Sequence, residues 1–145
     1  MSEQGASAGR IVVGVDGSES SKQALRWAAR LATGDGSRIE AITAWEYPQA
    51  YSSPVDPNWR PDLDAQVILD DTLREVFGDD RPAALVPIVR HGPPRTVLIE
   101  ASAGADLLVV GSRGHGGFAG LLLGSVSSAC SEHAHCPVLV LHDKA

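Results

Sequence analysis

The stretch Ile11-Val12-Val13-Gly14-Val15-Asp16-Gly17-Ser18-Glu19-Ser20-Ser21-Lys22-Gln23-Ala24-Leu25-Arg26-Trp27-Ala28 decides the fold. Its first five residues are apolar and mostly β-branched, with no polar alternation, as in a strand covered on both faces. Asp16-Gly17-Ser18 is a turn signal. Ala24, Ala28, Leu31 and Ala32 then recur at helical spacing, with Ser18 or Ser20 as N-cap over a helix spanning 20–32 and Gly34 as the stop. Strand, turn and helix form one unit.

That unit repeats outward along the chain. Apolar runs at 39–45, 85–89, 107–110 and 138–141 read as four further strands. Between them lie helical segments at 63–77, 95–103 and 125–134. Leu69, Leu73, Val76 and Phe77 form the stripe of the second helix and Gly78 its stop, while Pro94 suits the first turn of the third. Such alternation predicts an α/β fold: a doubly wound, five-stranded parallel sheet of order 3-2-1-4-5 with helices on both faces. Residues 46–61 carry Pro48, Pro54, Pro57 and Pro61 and read as a long loop. It is a surface excursion, or a lid or partner surface using Tyr47, Tyr51 and Trp59. Residues 1–9 read as a flexible leader and residues 10–145 as a single domain.

The 145 residues are 43% apolar, typical of one globular core. Twelve Lys and Arg against 18 Asp and Glu give a net charge of −6, which argues against nucleic acid or an anionic membrane as partner. No run approaches the roughly 20 apolar residues of a membrane span, and MSEQGASAGR lacks a signal-peptide layout, so a cytoplasmic protein is expected. Cys130 and Cys136 are too few for a disulfide framework and read as reduced thiols.

In the expected strand order, the sheet reverses direction between the first and fourth strands, and ligands of such sheets bind beyond the carboxyl ends there. Gly14, Val15, Asp16, Gly17 and Ser18 should therefore face Gly111, Ser112, Arg113 and Gly114. Residues 111–127 read GSRGHGGFAGLLLGSVS, with a helix beginning at Ser125. Glycines let a backbone turn its N–H groups onto an anion, and a helix N-terminus adds donors and partial positive charge. The hydroxyls of Ser125 and Ser127 and the charge of Arg113 fit the same ligand. The segment is neither a Walker A loop nor the dinucleotide fingerprint. Without its context, a flexible connector is the competing reading.

These residues resemble the universal stress protein family, specifically its ATP-binding branch, whose motif Gly-x2-Gly-x9-Gly-Ser/Thr is met by Gly111, Gly114, Gly124 and Ser125. IVVGVDGSESSKQALRWA looks like the family's first strand, turn and helix, and CPVLVL like its last strand. The resemblance implies that Asp16 lies near ribose and adenine and that a backbone group of Ala44 hydrogen-bonds adenine. It further implies that Gly111, Gly114, Gly124, Ser125, Val126 and Ser127 cradle ribose and phosphates. It implies an ATP-binding regulatory module of the stress response, with or without Mg2+, and a homodimer; the apolar run 138–141, at the sheet edge in the expected order, is the strand expected to join the two copies. A slow ATP hydrolase, or a binder of AMP or another adenine nucleotide, is the alternative. A flavodoxin-like electron carrier would place its phosphate loop after the first strand, where this chain has DGSES.

Single residues admit plainer readings. Asp16 also suits a turn or cap. Cys130, His133, His135 and Cys136 are ligand-type residues, but the paired short-spaced ligands from two segments that structural zinc uses are missing. Cys130 thus reads as core packing. His91 and His115 read as solvated, and Trp27 and Trp45 as packing a helix against the sheet edge.

Overall fold

A computed structural model describes residues 9–34, 36–47, 57–113 and 124–143. Most of the leader, residues 48–56 of the proline-rich stretch with Tyr51, and residues 114–123 with Gly114 and His115 lie outside the described residues. The elements run β1 (Arg10–Gly14), α1 (Glu19–Thr33), β2 (Arg38–Trp45), α2 (Pro61–Phe77), β3 (Leu85–His91), α3 (Pro94–Ser102), β4 (Leu107–Gly111), α4 (Ser125–His133) and β5 (Val138–Leu141). All strand pairs are parallel and the order is β3-β2-β1-β4-β5, the order expected. Pro61 begins α2 instead of merely interrupting the loop, because its missing N–H costs nothing in a first turn.

The sheet separates two cores, which explains why its central strands read as unbroken apolar runs. Ile11, Val13 and Val15 point to α1 and α2, meeting Ala24, Leu25, Ala28, Leu69 and Leu73. Val12 points the other way, with Ile42, Leu108 and Val110, onto Val97 and Leu98 of α3 and Cys130 of α4. Ser18 caps α1 by accepting the Ser21 N–H, as one of the two expected caps. Trp27 and Leu31 depart from expectation: they are 38% and 41% exposed. The buried arc of α1 centres on Ala28, and both residues stand at its rim, where the Arg30 guanidinium stacks over the Trp27 ring. Trp45 packs with the aromatic rings of Tyr47 and His91.

At the amino ends of the strands, the buried Glu40 of β2 accepts from Arg10 Nε at 2.9 Å and pairs with Arg38. Arg10 also donates to the carbonyls of Ala101 and Ala103, tying the C-terminal end of α3 to β1 and β2. The two sheet edges differ. In β3 the odd-numbered residues face outward, since Gly92 N–H donates to Trp45 C=O and Ala84 C=O accepts from Ile39. Pro87 therefore removes an N–H from the open edge and none from the ladder. In β5, Pro137 and Leu141 carbonyls face β4, so Val138 and Val140 present their backbone groups outward.

Burial pushes the Cys130 thiol up to about 11, with nearby Cys136 adding a smaller push. An unfolded thiol ionises near pH 8.5, so between about pH 8.5 and 11 the unfolded chain sheds a proton that the folded chain keeps. Stability is full below that window and falls through it. Cys130→Ala should remove about 2–3 kcal/mol of the alkaline loss, read as the difference in urea unfolding free energy between pH 8 and pH 11. An identical pH slope in the variant contradicts the assignment.

Candidate functional site

Beyond the carboxyl ends of β1 and β4 the chain is held by backbone contacts. Val15 N–H donates to Ile42 C=O, and Val15 C=O accepts the Thr43 hydroxyl, so its backbone is fully engaged. Asp16 Oδ1 accepts both the N–H and the hydroxyl of Ser18, and Gly17 adopts φ 84°, the left-handed conformation the turn requires. Asp16 thus performs the turn role, with both bonds falling on one oxygen. Gly14 faces α3, where an added Cβ would meet the Leu98 side chain at 2.7 Å.

Gly111 has a role the sequence did not reveal. A Cβ there would lie 2.2 Å from Ser20 Oγ and 2.9 Å from the Ser20 carbonyl carbon, so the end of β4 lies directly against the first turn of α1. The buried Ser20 hydroxyl donates to Arg113 C=O at 2.8 Å. One residue earlier, Ser112 N–H donates to Leu141 C=O, and Ser112 C=O accepts from Gly124 N–H and from Ser127 Oγ. Ser112 and Gly124 thereby form a neck between the end of β4 and the start of α4. The Ser127 hydroxyl, 1% exposed and shared with Gly124 C=O, is committed to that neck, in contrast to its expected place on the ligand.

Helix α4 starts without a side-chain cap. Its first backbone bond runs from Ser128 N–H to Gly124 C=O, so the N–H groups of Ser125, Val126 and Ser127 precede the helical ladder and have no partner within it. They carry the positive end of the helix dipole. Ser125 and Val126 line a cleft of about 370 Å³ together with Glu46 and Tyr47 after β2 and Pro93, Pro94 and Arg95 at the start of α3. Two helix N-termini therefore meet one cavity. Tyr47 is held edge-on between Trp45 and Trp59, with ring centroids 5.7 and 5.8 Å away. His91 packs on Trp45 at 4.5 Å. Ala44 stands two residues past Ile42, the last β2 residue paired with β1, and alternation aims its N–H and C=O the same way as those of Ile42.

Ser125 and Val126 are thus the expected residues that line the cleft. Val15, Gly111, Ser112, Gly124 and Ser127 build its frame. Arg113 is exposed and held by its carbonyl, and the cation on the cleft wall is Arg95. Glu46, Pro93, Pro94 and Arg95 were not among the expected site residues. The rule that ligands sit beyond strand ends, applied to β3 as well as to β1 and β4, points to the last three.

The model of the universal stress protein family matches residues 8–142. The chain belongs to the universal stress protein family. A universal stress protein of Mycobacterium tuberculosis is 35% identical over 152 residues, covering 92% of this chain and 48% of the relative. The chain spans about half the length of the curated relatives it matches. A universal stress protein crystallised in complex with cAMP is 27% identical, with a TM-score of 0.69 over 96% of this chain and 100% of that one. An Arabidopsis thaliana family protein with AMP bound shares the fold at 23% identity and a TM-score of 0.59, over 94% and 93% of the two chains. Among the described residues, no helix of this universal stress protein is long and apolar enough to cross a membrane, and no three His, Cys, Asp or Glu side chains cluster to hold a metal.

The Gly111 contact gives a direct test. Gly111→Ala should destabilise by about 1–3 kcal/mol, because the new methyl meets Ser20 backbone that cannot rotate away. Ser20→Gly should not rescue it. A urea midpoint within error of wild type refutes this close approach.

Proposed function

We propose that this universal stress protein binds adenine nucleotides, ATP first among them, as a regulatory module of the stress response. The observation that carries the reading is the cleft lined by Ser125 and Val126, in the uncapped first turn of α4 where the Gly-x2-Gly-x9-Gly-Ser motif ends. Ser125 and Val126 would hold phosphate through backbone N–H groups, with Gly111, Ser112 and Gly124 framing the site and Arg113 and Gly114 as further candidate contacts. Asp16 and the backbone of Ala44 would meet ribose and adenine. Family members crystallised with cAMP and with AMP share the adenosine phosphate that such a cleft fits. A cavity of about 370 Å³ lies within the range of small-molecule sites. If Mg2+ accompanies the ligand, Glu46 is the carboxylate on the cleft wall.

Binding is better provided for than turnover. Residues 111–127 hold no carboxylate, lysine or glutamine to orient water or offset charge on a transferring phosphate. Backbone donors that grip ground and transition states equally lower the dissociation constant without raising the rate. Turnover below about one per minute follows, against a median enzyme value of about 10 per second. The remainder of the proposal is a cytoplasmic homodimer, paired through the outward N–H and C=O groups of Val138 and Val140.

Isothermal titration of the full chain should detect ATP, and Gly124→Val should abolish the signal with an unchanged circular dichroism spectrum. Gly124 has φ −74° and ψ 172°, a backbone that valine adopts freely, so the substitution forces no left-handed conformation. Equal affinity in the variant would falsify the phosphate assignment.

Sedimentation should find a dimer that Val140→Pro converts to monomer, since proline there removes an outward N–H and leaves the β4 ladder whole. A monomeric wild type at micromolar concentration rules out the dimer.

A further inference from the structure

Arg95 stands against an electrostatic rule. It occupies the first turn of α3, where the helix dipole disfavours a cation, and that turn contains no acidic residue. Among the described residues its guanidinium makes no ion pair, although Glu46 lines the same cleft. The opposite wall is the first turn of α4, a second positive helix end. Three sources of positive potential therefore converge on one cavity, in a chain whose net charge is −6. Such an arrangement is locally unfavourable until an anion occupies it, and local conflicts of this kind concentrate at functional sites.

We propose that Arg95 is the specificity residue by which the cleft distinguishes nucleotides by phosphate number, favouring ATP over AMP. The inference rests on the adenine-nucleotide reading of the cleft and adds to it a residue outside the family motif. The N–H groups of Ser125, Val126 and Ser127 suffice for one phosphate. Further phosphates bring additional negative charge into a cavity whose other charged side chain is the carboxylate of Glu46. Arg95 offsets that carboxylate and offers a planar fork of donors that engages two phosphate oxygens at once. Removing it leaves the cleft wall with a single negative side chain, which penalises ATP more than AMP and adenosine hardly at all.

The test is calorimetric titration of the full chain with ATP, AMP and adenosine, for wild type, Arg95→Gln and Arg95→Lys. Arg95 is exposed, so both variants should keep the wild-type melting temperature. Arg95→Gln should weaken ATP about tenfold and AMP less than about threefold, with adenosine unchanged. Arg95→Lys, which keeps the charge but loses the fork, should restore part of the ATP preference. Equal losses for all three ligands, or no loss for ATP, overturn the inference while leaving nucleotide binding standing. A wild-type protein that binds none of the three overturns both.

Discussion

The contact between Gly111 and Ser20 leaves no room for a single methyl group, and the organisation of the switch point depends on it. With the first turn of α1 pressed on the end of β4, the Ser20 hydroxyl reaches Arg113, and Ser18 falls where Asp16 receives it. The gap between β1 and β4 is thereby closed on the face covered by α1 and α2. What stays open lies on the other face, between the starts of α3 and α4. Topology allows a crevice at a switch point; close packing on one side decides which face it opens to.

The opposite end of the molecule contributes by holding α3 in place. Arg10 bridges the buried Glu40 to the carbonyls of Ala101 and Ala103, so the last turn of α3 is fixed to the central strands. A helix of nine residues carries that constraint about 13 Å to Pro94 and Arg95. A buried ion pair is weak evidence of stability in itself, because desolvation offsets much of the attraction. Its geometric effect is clearer: the side chain on the cleft wall is borne by a helix pinned at its far end.

The sequence made the sheet legible because buried parallel strands and amphipathic helices leave different periods, and strand order followed from their alternation. Ser125 and Val126 were legible for the same reason, since topology places the start of α4 at the switch point. The roles of Ser20, Ser112 and Ser127 were not. Which acceptor a serine hydroxyl takes depends on residues 15 to 93 positions away, and nothing in local pattern records that choice. Arg95 is not legible from local pattern, where Pro94 marks only the first turn of a helix, although the same rule that locates Ser125 applies to the end of β3. Leu31 went to the wrong side of the boundary because a spacing rule does not state how wide the covered arc is.

The unequal edges of the sheet bear on how copies of this chain can accumulate. Pro87 leaves β3 a poor template, since an incoming strand meets a missing donor and a pyrrolidine ring where it needs a hydrogen bond. At the other edge, β5 has no such obstruction. Strand addition that uses one edge per molecule consumes both available edges in the first encounter and stops, whereas two open edges would permit growth into a fibre. A single proline, remote from the cleft, thus leaves this sheet one edge, not two, that is a good template for strand addition.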